Sequence, residues 1–351
     1  MEKISSKVNA HTEWGKLKEV ILGSVKNARV PSIKNHDIHC VDYANYNTID
    51  GLPGGEYSHT IMSETEEDLN NFQKLLEELG AKVYRPKDTP THLLHGTYNW
   101  RSDSYYNYCP RDSAIVIGDT ILETPMPLRS RYFETFGMRD IFKGYSKNGS
   151  RWISAPKPEL LDELYDRTDL SKATLTEFEP AFDAANIVKC GKDLIYLKSN
   201  SGNRWGAEWL QTTLGDRYTV HVADNVYAYV HIDTSIMPLR PGVVLLNPDR
   251  VNDQNCPKYF EKWTKIYAPP PIPTSYSADW APASPWLGMN ILSFDEQTVI
   301  VEQSQHPLIK QLENYGFKVA PIRMTHCRTL SGGPHCVTLD TVREDEYGDY
   351  S

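Results

Sequence analysis

No apolar run in this 351-residue chain approaches the ~18 to 20 residues that a membrane-spanning helix needs. The opening stretch, Met1-Glu-Lys-Ile-Ser-Ser-Lys, lacks the apolar segment of a secretory signal. Basic clusters are missing too: 37 Lys and Arg are scattered among 46 Asp and Glu, for a formal charge of -9. Neither nucleic acid nor a membrane is therefore an expected partner. Cysteine is sparse, and Cys40, Cys109, Cys190, Cys256, Cys327 and Cys336 form no CxxC pair or dense framework. In a chain this long they read as reduced thiols of a cytoplasmic protein. Without low-complexity tracts or a Pro/Gly/Ser linker, residues 1–351 are expected to form a single domain.

Aromatic residues are plentiful, with 21 Tyr and 8 Trp, many in loop-like stretches suited to lining a cavity. A hydrophobic share of 40% and a charged share of 24% fit a globular chain long enough to enclose a dry site.

The organisation is that of a weak repeat. Leu76-Glu-Glu-Leu-Gly80-Ala-Lys-Val-Tyr, Leu312-Glu-Asn-Tyr-Gly316-Phe-Lys-Val-Ala and the looser Leu210-Gln-Thr-Thr-Leu-Gly215 each close a helix on a glycine and enter a strand. The first helix is expected to start at a capping box, Ser63-Glu-Thr-Glu66, with Leu69, Phe72, Leu76 and Leu79 on one face. Strand–turn–strand units recur at Ile115-Val-Ile-Gly118-Asp119, Ile187-Val-Lys-Cys-Gly191 and Asn290-Ile-Leu-Ser-Phe-Asp295. Roughly seventy residues per unit gives about five units, which must pack on one another in a closed ring to bury their apolar faces. An ordinary α/β sheet with accidental similarity is the alternative.

Chemistry gathers at few places. Leu330-Ser-Gly-Gly-Pro-His335-Cys336-Val presents a cysteine after two glycines, at the start of a strand whose end would expose the thiol. A buried structural cysteine is the competing reading. The pairs His326-Cys327 and His335-Cys336 raise zinc, but adjacent strand residues face opposite ways and no CxxC accompanies them. In Val230-His231-Ile-Asp233-Thr, read as a strand, His231 and Asp233 point the same way, so a proton shuttle and a cation-holding carboxylate would share a site. A satisfied core histidine fits equally. Asp112, after Pro110-Arg111, and Asp183, in Glu179-Pro-Ala-Phe-Asp183, each stand just before an apolar strand. Singly, each is compatible with a turn or salt bridge.

Ordered motifs along nearly the whole chain are similar to those of the arginine amidinotransferases. They include Glu13-Trp-Gly-Lys-Leu-Lys-Glu-Val-Ile, Tyr108-Cys-Pro-Arg-Asp112, Glu123-Thr-Pro-Met-Pro-Leu-Arg-Ser-Arg131 and Glu179-Pro-Ala-Phe-Asp183-Ala-Ala185. His231-Ile-Asp-Thr, Leu246-Asn-Pro-Asp-Arg250, Trp286-Leu-Gly-Met-Asn290 and Gly332-Gly-Pro-His-Cys336 continue the series. Within that family, Gly202-Asn-Arg-Trp-Gly-Ala-Glu-Trp-Leu-Gln211 looks most like the streptomycin-pathway inosamine-phosphate branch, and the saxitoxin-pathway enzyme is also similar.

The resemblance implies an α/β fold, a five-bladed pseudo-symmetric α/β propeller known as the pentein fold. It implies L-arginine and an amine acceptor as partners, L-ornithine as the released product, and neither cofactor nor metal. Cys336 would be the nucleophile, His231 the acid and base, and Asp183 its orienting partner. Asp112 and Asp233 would clamp the guanidinium, while Arg250, aided by Ser284, would hold the substrate carboxylate. A homodimer is compatible with the sequence. A hydrolase of the same superfamily would use the same residue types, and an arginine-binding module without catalysis is a third reading. Pro334 replaces an expected aromatic residue, and Ala283-Ser284 departs from the glycine-accepting branch. Arg101, Arg204 and Lys198 are the basic residues that a phosphorylated acceptor would want at the site mouth.

Overall fold

The computed structural model describes residues 4–32, 36–41, 54–226, 228–273 and 281–351. Its regular structure is dominated by five three-stranded sheets of one construction. In each, two strands pair antiparallel and the second pairs parallel with a third.

In the first module, β1 (Lys16–Leu22) leads through α1 (His59–Glu78) to a parallel β2 (Lys82–Tyr84). The second joins β3 (Ala114–Ile117) and β4 (Thr120–Glu123), then α2 (Arg139–Lys147) and β5 (Arg151–Ser154). The third repeats this with β6 (Ile187–Cys190), β7 (Asp193–Leu197), α3 (Arg204–Leu214) and β8 (Thr219–Ala223). The fourth runs β9 (Ile236–Arg240), β10 (Val243–Leu246) and β11 (Thr264–Tyr267). The fifth contains β12 (Leu292–Ser293), β13 (Thr298–Glu302), α4 (His306–Asn314) and β14 (Lys318–Ile322). The last strand, β15 (Thr338–Glu344), returns to pair antiparallel with β1, with Ile21 opposite Leu339.

Hairpins β3–β4 and β6–β7 turn on Gly118 (φ +58°) and Gly191 (φ +76°), a backbone state that costs a side-chain-bearing residue energy. Their strands are buried along their whole length, so they read as continuous apolar runs rather than alternating ones. Helix α1 lays Leu69, Phe72 and Leu76 into a core with Leu17, Val20 and Ile300. Each such side chain contributes about 1.5 to 3 kcal/mol by leaving water.

Two local expectations are corrected. Helix α1 begins at His59, with Ser58 as its cap accepting from the Ile61 N–H; Ser63 lies inside and bonds back to the Thr60 carbonyl. Residues before the expected box could continue the helix, so the earlier serine took the end. The modules are also uneven, with hairpin first strands starting at residues 114, 187, 236, 292 and 338, because the connecting segments differ in length.

Candidate active site

Each hairpin is preceded by a short irregular segment, and the polar groups of interest come from these five segments. Asp112 sits in a single helical turn, Pro110–Ser113, before β3. Asp183 caps the 3-10 turn Ala184–Asn186 before β6, accepting from the Ala185 N–H at 3.0 Å. His231 precedes the 3-10 turn Ile232–Thr234, which carries Asp233, before β9. Ser284 caps the 3-10 turn Pro285–Met289, and Asn290 follows it, before β12. Cys336 stands two residues ahead of β15. The expectation of a strand at His231–Asp233 is therefore wrong, since Ile232 begins a tight turn after extended His231.

One cleft is lined by Asp112, His231, Asp233, Arg250, Ser284 and Cys336, together with Tyr106, Arg131 and apolar Ala228, Val230 and Leu287. Asp183 stands behind it, with Oδ2 at 2.9 Å from His231 Nε2. Cys336 is 1% exposed, so the thiol meets the cleft floor rather than the bulk solvent expected of a strand end.

The sulfur has two side-chain partners. Asn290 Nδ2–H donates to Sγ at 3.1 Å, and the thiol donates to Asp233 Oδ2 at 3.4 Å. Burial, then the Asp233 charge, pushes the thiol well above its ordinary pKa. Asp233 Oδ2 is also 2.8 Å from His335 Nδ1, whose Nε2 lies 3.2 Å from Glu13. Burial would raise the Asp233 carboxyl, but His335, His231 and Asn290 outweigh it and hold it at about 2.

Asp112 Oδ2 accepts from Arg131 Nη1 at 2.8 Å, and Arg131 is itself tied to Glu134 at 2.6 Å. Burial raises the Asp112 carboxyl to about 6, against the pull of His231 and Arg131. His231 goes the other way: burial disfavours its cation, yet Asp183 and Asp112 lift it to about 10. Among the described residues, one oxygen each of Asp112 and Asp233, both buried, finds no hydrogen-bond partner. A buried carboxylate oxygen left open is costly unless a ligand satisfies it. Two of them in one cleft beside a thiol offer acceptors complementary to a planar, multidentate cation.

Arg250 Nη1 bonds the Thr234 carbonyl, Thr234 Oγ1 and Ser235 Oγ, while Nη2 reaches Ser284 Oγ at 3.4 Å. The three basic residues considered for the mouth do not line the cleft. Arg204 is paired with Asp224, Lys198 with Glu177, and Arg101 with the carbonyls of Thr97 and Trp100.

Two donor sets could hold a metal ion among the described residues, His231–Asp233–Cys336 and Asp112–Asp183–His231. They share His231, and neither includes His326, whose Nε2 instead meets Glu64. No described helix is long and apolar enough to cross a membrane.

Sequence reasoning gave no role to Arg131, His335, Glu13 or Asn290. The available signal was that all four fall inside the ordered motifs at Glu13, Glu123–Arg131, Trp286–Asn290 and Gly332–Cys336.

Fold and cleft together define a class, an α/β protein with a thiol, a carboxylate-held imidazole and open carboxylates gathered at one cleft. No family model matches the sequence. Inosamine-phosphate amidinotransferase 1 of Streptomyces griseus is 44% identical over 339 residues, covering 96% of this chain and 97% of its own. A solved inosamine-phosphate amidinotransferase from the same organism, at 43% identity, superposes with a TM-score of 0.95 over 98% of this chain and 99% of the other. An amidinotransferase from Microseira wollei, of the saxitoxin biosynthetic pathway, gives 0.90 at 36% identity over 98% and 99%. The L-arginine:L-lysine amidinotransferase of Pseudomonas savastanoi pv. phaseolicola is 37% identical over 355 residues, 99% of this chain and 97% of its own. The chain belongs to the amidinotransferase family and is an enzyme of amidino transfer.

Proposed function

We propose that the protein moves the amidino group of L-arginine to a primary amine of a specialised-metabolite intermediate, releasing L-ornithine. The observation that carries this is the pair of unpartnered oxygens on Asp112 and Asp233 beside Cys336. A guanidinium can donate to both at once, which would turn its electrophilic carbon toward the sulfur.

The bound cation favours loss of the Cys336 thiol proton to water, and in the first half-reaction the thiolate Sγ attacks the guanidinium carbon. The bond from that carbon to the side-chain nitrogen of ornithine breaks. His231, held as a cation by Asp183, gives that nitrogen a proton from Nδ1, the atom Asp183 does not hold. Ornithine leaves before the acceptor enters, so the kinetics are ping-pong. In the second half the acceptor nitrogen attacks the S-bound carbon, His231 takes a proton from it, and the carbon–sulfur bond breaks to restore the thiolate. Arg250, with Ser284 at its Nη2, holds the substrate carboxylate.

The names of the relatives support the acceptor class: an inosamine phosphate in one branch, lysine in another, and a place in the saxitoxin biosynthetic pathway for a third. On this reading the five modules are the blades of a pseudo-symmetric propeller forming one domain around the cleft, in a cytoplasmic protein. Support comes from the five equivalent pre-hairpin segments and from β15 completing the first module.

The test is intact mass after mixing the protein with L-arginine alone, beside a Cys336→Ala control. A gain of one amidino group absent from the control, with ornithine released in step, is the expected result. Turnover to citrulline or urea would assign a hydrolase, and neither adduct nor turnover would remove the reading.

A further inference from the structure

Asn290 ends the motif Trp286-Leu-Gly-Met-Asn290, which the arginine-binding reading leaves without a task. We propose that Asn290 is a further catalytic residue, whose side-chain N–H stabilises the Cys336 thiolate before attack and again when it departs. The inference rests on Cys336 being the nucleophile.

The neighbours of the Asn290 amide fix which way it faces. Its Oδ1 accepts from two main-chain donors, the His335 N–H at 2.9 Å and the Cys336 N–H at 3.1 Å. Reversing the amide would set its own donors against those two N–H groups, so the neighbours impose the orientation. The NH2 is thereby aimed at Sγ, 3.1 Å away, and Asn290 is 1% exposed. Burial keeps bulk solvent from that donor, and in such a site a donor fixed before charge develops is worth more than one in water.

The need for it is visible at the sulfur. Asp233 offers an acceptor that suits the neutral thiol and opposes the thiolate, while Asn290 offers the opposite. The backbone of Gly333 works in the same direction as Asn290. Gly333 has a second use, since a Cβ there would fall 2.7 Å from Asn290 Oδ1 and 2.8 Å from its Cβ. The glycine leaves the space in which the amide can grip both main-chain donors.

Asn290→Asp keeps an acceptor for the two N–H groups but removes the donor, and Asn290→Ala removes it without adding charge. Gly333→Ala displaces the amide while keeping both the cysteine and the asparagine side chains. Alkylation of Cys336 by iodoacetamide is followed across pH, and amidino-adduct formation from L-arginine is timed. Both Asn290 variants should raise the alkylation midpoint by about one pH unit and slow adduct formation about 10- to 100-fold. Gly333→Ala should move both in the same direction by less. If Asn290→Ala fails to fold, the other two variants decide. A folded variant at Asn290 with the native midpoint and adduct rate overturns the inference. A Cys336→Ala protein that still forms the adduct would instead remove the underlying assignment of the nucleophile.

Discussion

His231 Nε2 lies 2.9 Å from Asp183 Oδ2, while Nδ1 is left 4.0 Å from Asp112 Oδ1. One carboxylate therefore fixes the ring, and the other looks at the nitrogen to which the proposed mechanism gives the proton transfer. Asp183→Asn keeps the shape and removes the charge that holds the imidazolium. It should lower the rate of ornithine release by about 100-fold or more, with little change in KM for L-arginine. Rapid quench with ornithine quantification reads this directly, and a loss below threefold would deny Asp183 its role.

The acid and alkaline limits of the arginine half-reaction come from different groups. Asp112, raised to about 6, must be ionised to bind a cation, so activity should fall as pH drops through about 6. His231, raised to about 10, must be protonated to aid the leaving nitrogen, so activity should fall again as pH rises through about 10. Stability follows the same histidine, because its folded pKa lies above its unfolded value of about 6.5. The gain is complete below about pH 6.5 and disappears as pH rises through about 10. Adduct rates and urea midpoints across pH 5 to 11 test both statements; a flat rate profile between pH 5 and 7 would count against Asp112.

Gly332 is packed where no side chain fits. A Cβ there would sit 2.6 Å from Cys109 Sγ and 2.7 Å from the Tyr108 ring. Gly332→Ala should cost about 1 to 3 kcal/mol of stability through overpacking beneath the nucleophile loop. Urea denaturation would show it, and an unchanged midpoint would mean the loop has room to move.

Asp340 lies under the same loop as the common partner of three buried cations. Arg111 reaches it at 2.6 Å, Lys189 at 2.7 Å and Arg343 at 2.8 Å. Asp340→Asn would leave excess positive charge in a site closed to water, costing about 3 to 5 kcal/mol. A loss under 1 kcal/mol by denaturation would show that Glu13 alone can carry the balance.

Much of the local architecture was legible because it is written in neighbouring residues. Gly80, Gly215 and Gly316 adopt positive φ at helix ends, with open space where a Cβ would stand, so backbone conformation alone asks for glycine there. Gly118 and Gly191 announced their hairpins in the same way. The site was legible only as separate residues. Nothing in the spacing of Asp112, Asp183, Asp233 and Cys336 states that four pre-hairpin segments line one cleft with the Asp183 segment behind it, since that follows from packing between modules. His231 and Asp233 reach the same cleft on a 3-10 turn, not on the strand that their alternation implied. Asn290 was invisible because its function depends on two N–H groups 45 and 46 residues away.

The pairing of β15 with β1 sets a timetable for the enzyme. Cys336 enters its place through a strand that must find a partner near the other end of the chain, and His335 meets Glu13 across 322 residues. Contacts so distant in sequence form late, because the loop they close is long. A ribosome-bound chain holding the first four modules would already carry the carboxylates and the histidine, but not the Cys336 thiol. On the proposed mechanism, reactivity is thus withheld until β15 has been made and has found β1, and a growing chain cannot trap an amidino group on a half-built cleft.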